Sequence, residues 1–257
     1  MIVRKEGRMN VVEAARKRIE NIFSNGVPVY LSFSGGKDSL CLGHLVLSLI
    51  QEGRIDPSLL TVQFIDEEAI FPCIEKTVKT WRKKFLLAGA KFQWYCLEVK
   101  HFNCLNELEN DESFICWDKT KRDVWVRNMP EFAITHHPLL NPRKMTYQAF
   151  LKQACMDGIL ITGVRAYESI QRMQFLAQQK YQHRLSPIYD WKDSDVWLYL
   201  FEHQVEIPNV YLYLWQTGLS RKELRVSQFF SIDTVKNLVN MNEYYPDLME
   251  RITLQRT

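Results

Sequence analysis

The chain has 257 residues, of which 46% are hydrophobic and 25% charged, with a formal net charge of +3 at pH 7. That length buries a sizeable core as one large domain, or as one domain with an appendage. So small a charge does not by itself mark a nucleic-acid binder, and it is consistent with anionic small molecules or a local basic patch.

In chain order, Asn10 and Glu13 have the spacing of a helix cap and its N3 partner. Apolar residues then recur at Val11, Ala14, Ala15, Ile19, Ile22 and Phe23, and Gly26 supplies a stop, which predicts an N-terminal helix within residues 1–26. A short buried strand is expected over Val29–Phe33, then a glycine loop, then a helix from Leu40 to Glu52 closed by Gly53. A second strand is expected over Leu59–Ile65, a helix over Phe71–Ala88 with Pro72 in its first turn, and a third strand over Lys91–Val99. This alternation predicts an α/β fold with a mostly parallel sheet of about five strands, flanked by helices.

Residues 103–142 have weak periodicity and read as an insertion of loops and short helices near the C-terminal edge of the sheet. Order returns with a helix near 145–156, an apolar strand within Gly158–Gly163, and a helix over Asp193–His203 with Asp193 as its expected N-cap. The nucleotide-binding α/β domain is expected over residues 27–205, and residues 206–257 form a helical C-terminal extension. The six cysteines contain no C-x-x-C pair, so neither zinc nor an iron–sulfur cluster is expected. No signal peptide is read at the start, and the longest apolar run, Leu45–Ile50, is too short to span a bilayer. A cytoplasmic protein with free thiols and no membrane partner is expected.

The sharpest chemical signal is Ser34-Gly35-Gly36-Lys37-Asp38-Ser39, set between a strand and a helix. Glycines let backbone N–H groups approach phosphate oxygens without Cβ interference, and a helix N-terminus offers its unpaired N–H groups to the same anion. Ser34 and Ser39 add hydroxyls, and Lys37 adds a point charge. An ordinary strand-to-helix turn needs glycine too, but not this company of serines, Lys and Asp. The spacing is not that of a Walker A loop. The hexapeptide resembles instead the PP-loop of the adenine-nucleotide alpha-hydrolase superfamily.

Three more segments resemble the PAPS (3′-phosphoadenylylsulfate) reductase family within that superfamily. Gly163-Val164-Arg165-Ala166-Tyr167-Glu168-Ser169, with Arg172 beyond, is similar to its G-x-R-x-x-E-S…R segment. Pro187 to Trp197 is similar to its P-[LI]-x-x-W-x-x-x-D-V-W segment, and Ile207-Pro208-Asn209 with Tyr211, Leu212 and Gly218 is similar, with looser spacing, to I-P-x-N-x-L-Y-x-x-G. The resemblance covers about residues 27–230. It implies an adenine nucleotide, ATP or PAPS, bound by residues 34–39 with Gly163 and Arg165, and Mg²⁺ as companion ion. Lys37, Asp66, Arg165 and Arg172 are the catalytic candidates, and Asp38 and Asp66 the candidate Mg²⁺ ligands.

Each candidate also has a plainer reading. Arg165 and Arg172 offer guanidinium forks to phosphate or sulfate, or sit at the surface with Glu168 as a partner. Asp66-Glu67-Glu68 follows a strand at the edge where open α/β sheets bind ligands, and is equally read as a solvated acidic loop. Trp191, Val196 and Trp197 read as core, Asp193 as a cap rather than a catalyst, and His136-His137 as ordinary loop histidines. Tyr211 to Arg225 mixes aromatic and basic residues, as a nucleic-acid surface does, or as a solvated face over an aromatic patch does.

The sequence departs from PAPS reductases in one respect that bears on chemistry. Reductive cleavage of PAPS needs a thiolate from a C-terminal Cys-Gly pair, and no cysteine follows Cys155. Cys73 is the candidate substitute, although a buried helix cysteine is its plainer reading. The nearer resemblance is to the phage and mobile-element branches of the family, whose members are thought to use ATP to adenylylate a substrate or partner. The expected function is therefore an ATP pyrophosphatase or adenylylating enzyme. The alternatives are a sulfonucleotide-handling enzyme, or a nucleotide-responsive module that works with a DNA-associated protein partner.

Overall fold

The computed structural model describes residues 5–6, 9–102, 113–168, 173–174, 183–220, 224, 226 and 242–254. They form two compact units. The first comprises Met1–Gln63, Thr77–Phe92 and Cys155–Ile207; the second comprises Phe64–Lys76, Gln93–Ala154 and Pro208–Thr257.

The first unit opens with a short antiparallel pair, β1 (Lys5–Glu6) and β2 (Met9–Asn10), and then helix α1 (Val11–Phe23). Asn10 and Glu13 form the expected capping box: the Glu13 N–H donates to the Asn10 side chain at 2.9 Å, and the Asn10 N–H donates to Glu13 at 3.1 Å. The buried stripe is Val11, Ala14, Ala15, Ile19, Ile22 and Phe23, all residues of the expected periodicity. Strand β3 (Val29–Ser32) pairs in parallel with β4 (Leu60–Ile65) on one side and with β8 (Ile159–Ile161) on the other. Strand β9 (Arg184–Leu185) continues the sheet in parallel beyond β8, and β5 (Lys91–Tyr95) lies outside β4, giving the order β5-β4-β3-β8-β9. This is the mostly parallel five-stranded sheet expected from the alternation of apolar runs. The third strand ends at Tyr95, four residues short of its expected end.

Helix α2 (Lys37–Gln51) starts three residues before the expected Leu40, so Lys37, Asp38 and Ser39 form its first turn. Helix α3 (Pro72–Leu87) contributes Val78, Trp81 and Phe85 to the first unit's core, where the Phe33 ring meets Trp81 at 5.5 Å and Phe85 at 5.8 Å. The Trp191 indole N–H donates to the Val11 carbonyl at 3.1 Å, which ties α1 to the segment before the 193–202 helix.

The second unit contains the insertion, which adds an element that its weak periodicity concealed. Strand β6 (Lys100–Phe102) pairs antiparallel with β7 (Ser113–Ile115), which adds a two-stranded sheet to the loops and the short 3-10 helix over Lys119–Val124; residues 103–112 of the insertion lie outside the described residues. Three-residue strands are too short for alternation to be read; their pairing, not their pattern, makes them strands. Helix α4 (Tyr147–Ala154) follows. Trp94, Tyr95, Cys116, Trp117 and Phe150 fill this core. In the first unit, helix α5 (Asp193–Glu202) buries Val196, Tyr199 and Leu200; helices α6 (Val210–Gln216) and α7 (Pro246–Leu254) belong to the second unit. Among the described residues no helix is long and apolar enough to cross a membrane.

Candidate nucleotide-binding site

The glycine loop leaves β3 and turns into α2 within four residues. Gly35 makes that turn at φ 76°, a left-handed conformation that L side chains rarely adopt. Gly36 is the N-cap at φ −80°, ordinary extended backbone, so the conformational need for glycine falls on Gly35 alone. The first intrahelical bond runs from the Leu40 N–H to the Gly36 carbonyl at 2.9 Å. An α-helix gives its first-turn N–H groups no intrahelical acceptor, and here those belong to Lys37, Asp38 and Ser39. Both serine hydroxyls brace the loop: the Gly36 N–H donates to Ser34 Oγ at 3.3 Å, and Ser39 Oγ donates to the Gly36 carbonyl at 2.9 Å.

The sequence segment that starts at Gly163 packs directly on this loop. A Cβ on Gly163 would lie 3.0 Å from the Asp38 carbonyl carbon and 3.2 Å from the Ser39 nitrogen, so any other residue there would press β8's exit tightly against the backbone at the start of α2. Arg165 then lies against Asp38, its Nε donating to Oδ1 at 2.5 Å, and it is only 3% exposed. Lys37 is only 5% exposed, with its Nζ 3.5 Å from Asp38 Oδ2. Two expected ligands of phosphate are thus brought together from residues 128 apart. Arg172 lies outside the described residues, as does Ser169. Asp193 does not cap α5. Lys192 is the N-cap, its N–H donating to Asp195 at 2.7 Å, while Asp193 Oδ1 lies 3.5 Å from Arg165 Nη2.

The acidic stretch Asp66-Glu67-Glu68 sits in the second unit and faces inward. The Asp66 side chain is fully enclosed, paired with Arg127, and accepts the Trp94 indole N–H at 2.7 Å. Glu68, at φ 67°, accepts the N–H groups of Trp117 at 2.7 Å and Val126 at 3.0 Å. Glu67 pairs with His101 at 3.1 Å. Burial opposes the charge on Arg127, but Asp66 and then Glu75 outweigh it and hold its pKa above the usual value. A ligand of Mg²⁺ needs carboxylate oxygens turned toward water or phosphate. Asp66 is already neutralised by a guanidinium inside the core, which does not suit a protein-held Mg²⁺, whereas Asp38 is engaged by Arg165 and Lys37 but keeps a partly exposed side chain. Sequence reasoning missed Arg127, Trp117 and Glu68 as a unit because their partners are 49 to 61 residues apart.

Four of the described thiols are disfavoured as thiolates by their positions. Cys41, Cys96, Cys116 and Cys155 are buried, and burial pushes all four upward, Cys155 to about 12. At Cys41 the neighbouring Asp38 adds to the effect of burial. Cys73 is only half-buried, and Cys104 lies outside the described residues.

The family model described as the phosphoadenosine phosphosulfate reductase domain matches residues 28–217, from the start of β3 to just past α6. The chain belongs to this family. It is 28% identical to the uncharacterized protein YbdN of Escherichia coli (strain K12), over 93% of this chain and 63% of that protein. It therefore spans less than two thirds of the length of that relative. Among solved structures, it is similar to an FMN adenylyltransferase mutant of Candida glabrata, at 17% identity and a TM-score of 0.47, covering 79% of this chain and 58% of the other. It is also similar to a PAPS reductase of Candida auris in a phosphate complex, at 12% identity and a TM-score of 0.42, covering 85% of this chain and 96% of the other.

Proposed function

We propose that this PAPS reductase-family chain is a PP-loop enzyme that binds ATP, cleaves the bond between the α- and β-phosphates and releases pyrophosphate, with AMP passing to an acceptor. The observation that carries the reading is the junction of the loop and Arg165. A left-handed Gly35 opens α2 to an anion, Gly163 allows contact with the loop, and the buried pair Lys37 and Arg165 lies against Asp38 in the helix's first turn. In this proposal the backbone of residues 34–39 holds the phosphates that leave, and Lys37 and Arg165 meet the negative charge that develops on them. Arg172 joins them on the strength of its place in the family segment. Asp38 positions the two cations, and Asp66 enters as a structural carboxylate of the second unit. The acceptor, and any protein or nucleic-acid partner that brings it, supplies the nucleophile.

The test is release of pyrophosphate and AMP from ATP with Mg²⁺ in the buffer, with and without candidate acceptors. Arg165→Lys keeps the charge but loses the fork. It is expected to lower turnover by roughly 10²–10³-fold with a smaller change in nucleotide affinity, the usual scale for one preorganised electrostatic contact. ADP and phosphate as products refute the choice of bond. Tight ATP binding with no product under any condition leaves a nucleotide-responsive binding module.

A second reading, favoured by the family match itself, is that the same loop takes PAPS. The four buried cysteines, their thiolates disfavoured, argue against attack on a sulfonyl group by those four, so among the described thiols such chemistry falls to the half-buried Cys73, or it draws its thiol from a partner. Sulfite release from PAPS by the purified chain with a thiol reductant, lost in Cys73→Ser, overturns the first reading.

A further inference from the structure

The cations of the phosphate loop are not simply presented to solvent; they are held in a ring of alternating charge within the first unit. Lys37 Nζ lies 3.5 Å from Asp38 Oδ2 and 3.9 Å from Asp193 Oδ1. Arg165 Nε lies 2.5 Å from Asp38 Oδ1, and its Nη2 lies 3.5 Å from the same Asp193 Oδ1. Each carboxylate therefore touches both cations. Glu168, 3.7 Å from Arg165 Nη2, adds a third negative group.

The two aspartates are not equivalent. Asp38 makes a close charged hydrogen bond to Arg165 and belongs to the loop hexapeptide itself. Asp193 stands at the first position of α5, outside the spaced residues of the family segment. Its contacts are ion-pair distances beyond hydrogen-bond length, and its side chain is 23% exposed. It is the partner more easily given up when a stronger anion arrives.

We infer that Asp193 is a positioning residue that holds Lys37 and Arg165 together in the nucleotide-free protein and competes with incoming phosphate for them. Entry of a phosphate exchanges the Asp193 contacts for bonds to phosphate oxygens while Asp38 keeps the two cations aligned. The ring thus lowers ground-state affinity for the nucleotide and preserves the geometry in which the cations meet the leaving group. The inference rests on the reading that residues 34–39 bind phosphate.

The experiment is calorimetric titration of the full chain with inorganic pyrophosphate and, separately, with ATP, for wild type, Asp193→Asn and Asp193→Glu, with thermal melts of each. Loss of a partly exposed ion pair of this kind corresponds to about a two- to fivefold change. Asp193→Asn is expected to tighten both ligands by that factor, Asp193→Glu to return toward wild-type affinity, and pyrophosphate release by the Asn variant to slow. A merely structural residue gives the opposite sign, with binding weakened in step with a lower Tm. Asp193→Asn that is folded yet binds as wild type, or more weakly, overturns the inference. Should that variant not fold, Asp193→Ser, which keeps a small polar group at the helix start, is titrated against the same criterion. Wild type that binds neither pyrophosphate nor ATP refutes the phosphate site itself, and the role of Asp193 falls with it; wild-type binding with an unresponsive Asp193 sinks the positioning role alone.

Discussion

Replacing Gly163 with alanine tests whether the approach of β8's exit to the loop is required for the site. The added Cβ would lie 3.0 Å from the Asp38 carbonyl carbon, 3.1 Å from its oxygen and 3.2 Å from the Ser39 nitrogen. All three atoms are backbone of α2's first turn, which no side-chain rotation moves. Carbon–carbon contacts are comfortable near 3.5–4.0 Å, so the turn must retreat by about half an ångström. Overpacking of this order costs about 1–3 kcal/mol. In a chain of this size that is a fall in Tm of roughly 2–12 °C. The amides of Lys37, Asp38 and Ser39 move with the turn, and because a 1 Å misplacement costs about 10²-fold in rate, half of it is expected to cost about tenfold. The assays are a thermal melt, nucleotide titration and pyrophosphate release, run beside Gly158→Ala. There the Cβ would overlap the Pro28 carbonyl oxygen, which accepts the Ile159 N–H at 2.9 Å, so that variant is expected to fail to fold. Gly163→Ala that folds and retains wild-type nucleotide affinity and turnover refutes the argument that this glycine serves the phosphate site.

Arg127→Met leaves the enclosed carboxylate of Asp66 without its cation, and breaking a buried pair in this way costs about 3–5 kcal/mol. A large drop in Tm is expected, partly recovered by adding Asp66→Asn; if Arg127→Met melts like wild type while Asp66→Asn abolishes turnover, Asp66 is a functional carboxylate after all. A third expectation concerns pH. Burial, reinforced by His203 and Lys84, holds the His44 imidazole down to about 4, and the Tyr199 hydroxyl lies 2.8 Å from its Nδ1. The unfolded chain takes up that proton near pH 6.5, so the folded state loses stability as pH falls from about 6.5 toward 4. Melts of wild type and His44→Gln across that window should show a shallower acid slope in the variant; parallel slopes refute the assignment.

Local chemistry was legible in the sequence because local rules fix it. The Asn10–Glu13 cap, the stripe of α1 and the parallel core strands Val29–Ser32, Leu60–Ile65 and Ile159–Ile161 follow from spacing, capping groups and apolar runs that act within a few residues. The hexapeptide at 34–39 was legible for the same reason, since its two glycines, hydroxyls and Lys are contiguous. Which glycine bears the left-handed turn, Gly35 and not Gly36, was not legible, because identical residues differ there only in φ.

What tertiary structure alone decided is the pairing of charges. The sequence marks Asp38, Asp66 and Arg165 as site candidates, Asp193 as a cap and Arg127 as nothing in particular, and it does not say which carboxylate meets which cation. The strand order puts β8 beside β3, so its exit delivers Arg165 to Asp38 and brings both to Asp193 at the start of α5. Folding of the second unit delivers Arg127 to Asp66 and turns that carboxylate away from the role its strand-end position suggested. A charge's function depends on which opposite charge lies within a few ångströms and how much water remains between them. Those distances are set by chain segments from 28 to 127 residues apart, beyond the reach of any sequence period.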